Sequence, residues 1–114
     1  MYRFSYSEIL EDAPEAGRER ERDAFDRALG LLRRAEIDGA VAERTAAVGF
    51  VQDLWNVLIA DLLNPENALP DPLRENLVAI GAWTMHEVGR VLSTPGRSLA
   101  ALIEVNTSIR DGLR

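Results

Sequence analysis

Apolar residues recur along this chain at alternating steps of three and four, the period that places them on one face of an α-helix. Helical stretches are predicted over residues 14–37, 40–63 and 71–92, with a fourth beginning at Pro95. No run of four or more residues alternates apolar and polar positions with the β-branched enrichment of a strand. The pattern predicts an all-α fold, a small bundle of three to four helices. They are mostly antiparallel, because the connections between them are short.

The second stretch carries the broadest apolar stripe and is predicted to be a central helix buried on two sides. Its stripe comprises Val48, Val51, Trp55, Leu58 and Leu62, widened by Phe50, Leu54 and Ile59. The first stretch supplies Phe25, Ala28, Leu29, Leu31 and Leu32. The third supplies Leu73, Leu77, Ile80, Thr84, Val88 and Val91, with Trp83 projecting in a neighbouring direction.

Start and stop signals set the predicted boundaries of the helices. Asp38-Gly39 ends the first, Asn64-Pro65 ends the second, and Gly112 offers a stop for the fourth. Asp71 is predicted to cap the third helix and Thr94 the fourth, each with a proline at the first helical position. Near the N-terminus, Ser5 and Glu8 fit a capping box that starts a short turn, broken by Pro14.

The fourth stripe contains one polar residue, Asn106, among Leu99, Leu102, Ile103, Ile109 and Leu113. An amide at such a position costs stability unless it finds a hydrogen-bond partner. Three interpretations are open. In the first, Asn106 contacts a partner protein. In the second, it fixes the register of the helix, as polar stripe positions do in coiled coils. In the third, it lies exposed at a frayed helix end.

Composition narrows the class of protein. At 114 residues the chain is sized for a single domain over residues 1–114. The net charge is −6, and acids interleave with the arginines of the densest basic region, "GRERERDAFDR", so we do not expect nucleic-acid binding. There is no cysteine, no signal-peptide core and no apolar run long enough to insert into a membrane. The sequence predicts a soluble cytoplasmic protein.

No catalytic, cofactor-binding or metal-binding residues are predicted. His86-Glu87 would begin a zinc-protease helix, but the second histidine of that motif is replaced by Arg90. Six residues separate Gly89 from Gly96 and no lysine follows, so the phosphate-loop pattern also fails. Trp83, off the main stripe of its helix, is instead a candidate for contact with a partner, since interfaces are enriched in tryptophan.

Three segments of the chain closely resemble the FlaF family of bacterial flagellar biosynthesis regulators. They are "MYRFSYSEILEDAP", "LWNVLIADLLNPENALPDPLRENLVAIGAW" and "LIEVNTSIRDGL", which together extend over nearly the whole chain in order. The resemblance implies a cytoplasmic FlaF-like domain needed for flagellin production and export. It implies flagellin as a partner, bound in the manner of a secretion chaperone, and joint action with FlbT, a regulator of flagellin messenger RNA. It implies no catalytic residues.

Flagellin termini form long amphipathic helices, and a bundle with an apolar groove can bind such a helix. The predicted partner-binding residues are Trp83, Ile103, Asn106, Ile109 and Leu113. Two alternatives stay open: an adaptor that binds the FlbT-type regulator, and direct regulation of flagellin messenger RNA. The net charge disfavours the second.

Overall fold

The computed structural model describes residues 14–112 and the side chains of residues 19–112. Over this range the chain forms four helices: α1 (Pro14–Asp38), α2 (Val41–Leu62), α3 (Asp71–Ser93) and α4 (Ala100–Asp111). No strand occurs among residues 14–112, and the predicted all-α bundle is confirmed. The predicted capping box at Ser5 and Glu8 lies outside the described residues.

The ends of α1 and α2 fall within one or two residues of their predicted positions, but the start of α3 differs. Asp71 was predicted as the N-cap; it is instead the first residue of the helix, and Pro70 is the cap. The N–H of Arg74 donates to the carbonyl oxygen of Pro70 at 2.9 Å, so the helical hydrogen bonds begin one residue earlier. The Asp71 carboxylate pairs with Arg74 rather than capping.

The prediction that α4 starts at Pro95 with Thr94 as its cap is wrong. Pro95 and Gly96 occupy the two central positions of a tight turn, closed by the N–H of Arg97 donating to the Thr94 carbonyl at 3.1 Å. Gly96 has φ 82°, which the third position of a type II turn requires and which glycine adopts without strain. The proline therefore sets a turn, and α4 begins five residues later, with Leu99 as its cap.

Each helix packs antiparallel to its neighbour in the chain, and α4 returns to pack against α1, so the four helices form a closed ring. The pairing of α3 with α4 is the weakest of the four. Three contacts show that α1 and α4 are antiparallel: Glu36 with Leu99, Arg33 with Thr107, and Asp26 with Arg110.

The core forms where the predicted stripes meet. Its buried members are Phe25, Ala28, Leu29, Leu32, Ala35, Ala47, Val48, Val51, Trp55, Leu58, Val88, Val91, Leu99 and Leu102. A smaller cluster centres on Leu62, against which the connector residue Leu69 packs. Every predicted stripe position of α2 is buried or half-buried, as expected for a helix with two packed neighbours. Among residues 14–112, no helix combines the length and the apolar character that crossing a membrane requires.

The closest approach of α2 and α3 occurs at Gly81. A β-carbon at this position would lie 2.8 Å from Cε3 of Trp55 and 3.0 Å from two side-chain carbons of Ile59. Real β-carbons do not come so close to other atoms. The absence of a side chain at Gly81 is thus what allows Trp55 and Ile59 to approach the α3 backbone so closely.

Candidate functional site

Asn106 lies inside the bundle, with 1% of its surface exposed. Its Oδ1 accepts a hydrogen bond from Nε1 of Trp55 at 2.7 Å, and its Nδ2 donates to the carbonyl oxygen of Leu102 at 2.8 Å. The amide thus pairs with the indole on α2 and with its own helix. This arrangement matches the interpretation in which Asn106 fixes the register of α4. It does not place Asn106 on an accessible surface, because the side chain is covered by the core it helps to order.

Trp55 is the point where all four helices meet. Phe25 of α1 packs against it edge to face, with the ring centroids 6.0 Å apart and an interplanar angle of 81°. Gly81 of α3 lies under the indole, and Asn106 of α4 accepts from its nitrogen. The only polar atom of the indole is therefore satisfied inside an apolar core, which is the condition for burying a tryptophan without loss of stability.

Trp83 lies on the flank of α3 that faces α4, and 36% of its surface is exposed. It stands four residues before Glu87, so the two side chains share one flank of the helix. Glu87 in turn accepts from Nε of Arg97, at 2.8 Å, in the segment that leads into α4. A large aromatic residue is thus partly open to solvent at the weakest helix pairing of the bundle.

The other predicted partner-binding residues divide between the two flanks of α4. Ile103 shares its flank with Thr107 and Arg110, which contact α1, so Ile103 faces α1. Ile109 shares the opposite flank with Val105 and faces α3. Both isoleucines are half-buried, and Leu113 lies outside the described residues.

The helical period assigns Trp83 to the flank of α3 that it shares with Glu87, and Val105 and Ile109 to the flank of α4 away from α1. We call these three residues the α3–α4 seam. Of the five residues predicted to bind a partner, Trp83 and Ile109 belong to this set and the others do not. Ile103 lies on the far side of α4, and Asn106 lies beneath the surface. The binding role of all five stays a prediction.

Two carboxylates to which the sequence analysis gave no structural role hold the start of α4 in place. The first is Glu36 of α1. Its Oε1 accepts from the N–H of Leu99 at 2.8 Å and its Oε2 accepts from the hydroxyl of Ser98 at 2.7 Å, while Arg44 lies 3.9 Å away. The hydrogen bond from Leu99, that from Ser98 and the charge of Arg44 lower the pKa of Glu36. Glu36 thus caps α4 from another helix.

The second is Glu87 of α3, whose side chain is only 3% exposed. Nε and Nη2 of Arg97 donate to its two oxygens at 2.8 and 3.2 Å, and Arg90 lies 3.7 Å away. The hydrogen bonds from Arg97 are the largest cause of the lowered pKa of Glu87. In the sequence, the only indication of this buried ion pair was the position of Glu87 next to the stripe residues Thr84, Val88 and Val91.

These two carboxylates should make the bundle less stable in acid. Because the folded-state pKa of each is lowered, their stabilisation is complete above the unfolded-state pKa and is lost as the pH falls through the folded-state pKa. We expect Glu87→Gln to lower the free energy of unfolding at pH 7 by about 1 kcal/mol and to flatten its acid dependence. Thermal unfolding followed by circular dichroism from pH 7 to pH 3 measures both.

Glu104→Gln, on the exposed face of α4, is the matched control for Glu87→Gln. It should leave the unfolding midpoint at pH 7 unchanged, because it removes a charge that no buried group depends on. If the two variants have the same acid dependence, Glu87 does not stabilise the fold through its charge.

Among the described residues, no three His, Asp or Glu side chains come together in a way that could hold a metal ion. His86 lies exposed on α3. The chain was also compared with known proteins. The model of a family described as flagellar protein FlaF matches residues 2–113, nearly the whole chain. No curated protein and no solved structure matches it.

Proposed function

The chain belongs to the FlaF family of flagellar proteins, and on that premise we propose that it is a flagellin-binding export chaperone that also regulates flagellin synthesis. It acts in the cytoplasm, before export, by holding a terminal amphipathic helix of a flagellin subunit. Its role is to bind and not to catalyse. Binding of the unassembled subunit would couple export of flagellin to its production.

The observation that carries this proposal is the partly exposed indole of Trp83 at the α3–α4 seam. Tryptophan at an interface supplies a large contact area at a small loss of conformational freedom, and it is enriched among the residues that dominate binding energy. Trp83 is on α3, the half-buried Val105 and Ile109 are on α4, and these two helices form the weakest pairing in the ring. An added helix could lie along the seam without displacing the core.

The chemistry of the seam fits a helix better than an extended peptide or an RNA strand. Its three residues carry aromatic and aliphatic side chains, which suit anchors spaced at i, i+3, i+4 and i+7 on an amphipathic helix. Binding of an extended strand would need free backbone donors and acceptors at a sheet edge, and residues 14–112 contain no sheet. Binding of RNA would need unpaired cations, and the arginines nearest the seam, Arg90 and Arg97, pair with Glu87.

The buried position of Asn106 changes its role in this proposal. Asn106 does not hydrogen-bond to the incoming helix, because its Oδ1 and Nδ2 are already hydrogen-bonded to Trp55 and Leu102. It supports binding indirectly, by holding α4 in the register that sets Ile109 opposite α3.

The test is calorimetric titration of the protein with monomeric flagellin, and with flagellin lacking either terminal helix. We expect saturable 1:1 binding that disappears with one truncation. Trp83→Ala should weaken the affinity at least tenfold, which corresponds to about 1.4 kcal/mol. Trp83→Phe should keep most of the affinity while it abolishes the change in tryptophan fluorescence on binding.

Val57→Ala is the matched control, since Val57 is an exposed apolar residue on α2 and lies on the side opposite Trp55. It should bind flagellin as the parent protein does. Equal loss of affinity in Trp83→Ala and Val57→Ala would exclude the seam as the site. No binding of flagellin at tens of micromolar, together with binding of the FlbT-type regulator, would identify an adaptor. Binding of flagellin messenger RNA that collapses with added salt would identify a direct RNA regulator.

A further inference from the structure

The outer surface of α2 carries few charges for a helix of an acidic protein. Eight of the nine exposed side chains described in α1 are charged, but only two of the ten in α2 are, Glu43 and Asp53. Val41 at the start of α2 and Leu63 at its end are 77% and 65% exposed. So little charge is typical of a helix that is covered on most sides. α1 and α3 cover two sides of α2, and its outer side is open.

One stripe along this open side is symmetric about the middle of α2. Its members are Val41, Thr45, Gln52, Ile59 and Leu63, separated by four, seven, seven and four residues. These steps keep all five on one face of the helix. Each end of the stripe carries a large aliphatic residue, and its centre carries the amide of Gln52. Ile59 lies against Gly81 of α3, so the stripe runs beside α3.

α3 carries a second stripe with the same centre. Its members are Val78, Met85 and Leu92, separated by seven residues. Because Gly81 lies against Ile59 and the two helices are antiparallel, Met85 lies level with the middle of α2. Val78 and Met85 are half-buried and pack partly against the core, whereas Leu92 is 52% exposed. We call the two stripes together the α2–α3 face.

Neither stripe contains a charged residue. The nearest charges are Asp53, beside the stripe of α2, and Asp71, Arg74 and Glu75 at the start of α3. Since the chain as a whole carries a net charge of −6, two copies repel each other where their acidic surfaces meet. The α2–α3 face avoids this repulsion. It also gives a basic or an acidic partner no charge to pair with, and the charge pattern therefore favours a second copy of the chain.

The symmetry of the stripes also favours a second copy. In a two-fold interface, each residue meets its own counterpart or a residue that reciprocates the contact. With the two α2 helices antiparallel, Gln52 meets its own counterpart on the symmetry axis, and Leu63 meets the counterpart of Val41. With the helices parallel, the charged starts of both α3 helices would lie at the same end of the interface. The charges therefore select the antiparallel arrangement.

The size of the face is sufficient for a dimer. The 22 residues of α2 span about 33 Å, and two packed helices are about 20 Å wide. The face therefore covers about 650 Å² per copy, or about 1,300 Å² for the pair, at the lower end of the range for stable interfaces. A Kd of about ten to one hundred micromolar is the expected result.

We propose that two copies of the chain associate through the α2–α3 face, with the α2 helices antiparallel and Gln52 on the two-fold axis. Burial of the apolar ends of the stripes drives the association, and the central amides hydrogen-bond to each other. The α3–α4 seam lies on the other flank of α3, so each chain of the dimer can still bind one flagellin. The association does not depend on the flagellin-binding function.

Sedimentation velocity of the full chain, over a concentration range of about a hundredfold that spans the expected Kd, tests the association. We expect a monomer–dimer equilibrium. Gln52→Arg, which sets two cations against each other on the axis, should raise the Kd at least tenfold, whereas the matched control Val57→Arg, at an exposed position of α2 outside the stripe, should not change it. Leu92→Glu should act as Gln52→Arg does, and circular dichroism checks that all variants are folded. A monomer at every concentration, or equal effects of Gln52→Arg and Val57→Arg, would overturn the proposal.

Introduced cysteines test the arrangement without background, since the chain contains no cysteine. Under mild oxidation, Gln52→Cys should form a disulfide between two copies at least tenfold faster than Val57→Cys, as measured by non-reducing electrophoresis. A mixture of Val41→Cys and Leu63→Cys chains should give mainly the mixed disulfide. Equal rates for Gln52→Cys and Val57→Cys would contradict the proposed face, and disulfides mainly between two Leu63→Cys chains would contradict the antiparallel arrangement.

Discussion

Gly81→Ala should lower the free energy of unfolding by about 2–3 kcal/mol, although alanine is the better helix former by about 1 kcal/mol. The added methyl group would lie 2.8 Å from Cε3 of Trp55. The indole cannot easily move aside, because its nitrogen is bonded to Asn106 and its ring packs edge to face on Phe25. The strain must then be relieved by separating α2 from α3. Chemical denaturation followed by circular dichroism measures the change.

Gly89→Ala is the matched control in the same helix. Gly89 is exposed, and a β-carbon there would meet nothing within 4 Å. Only the helix propensity changes, so this variant should be more stable than the parent by up to about 1 kcal/mol. The two substitutions are chemically identical and should act in opposite directions. If Gly81→Ala also stabilises the protein, then α2 and α3 are not in close contact at Trp55.

Asn106→Leu should destabilise the bundle by about 2 kcal/mol, even though it restores an aliphatic residue to an apolar stripe. The substitution leaves the N–H of Trp55 buried without an acceptor, and the cost of that unpaired donor exceeds the gain from the added apolar contact. Thermal and chemical unfolding give the change directly. Greater stability in the variant would mean that the hydrogen bond at 2.7 Å contributes nothing.

A double-mutant cycle separates the hydrogen bond from the packing around it. Trp55→Phe removes the donor and leaves Oδ1 of Asn106 without its partner, so it should also be destabilising. When Trp55→Phe and Asn106→Leu are combined, neither polar group is left unpaired. The double variant should therefore lose less stability than the sum of the single variants, by about 1 kcal/mol or more. Strict additivity would show that the two residues do not interact.

The sequence by itself determined the all-α class, the buried face of α2 and the family. The stripe of Val48, Val51, Trp55, Leu58 and Leu62 is buried as predicted, because helical periodicity is a property of neighbouring residues and survives in any bundle. The resemblance to the FlaF family likewise rested on three short sequence segments that occur in order along the chain. The match of the family model over residues 2–113 confirms it. The predicted start of α4 was wrong because proline is common both at the first position of a helix and in tight turns. The positive φ of Gly96 places Pro95 in a turn.

Only the tertiary structure decided what the polar residues do. Asn106 could have been an exposed residue, a partner contact or a register residue, and the answer depended on Trp55, which lies 51 positions earlier in the chain. Glu36 caps a helix that begins more than sixty residues later, and no local pattern marks such a pairing. The exposure of Trp83 likewise depends on how closely α4 packs against α3. Burial and hydrogen bonding are set by neighbours in space, and those neighbours are distant in sequence.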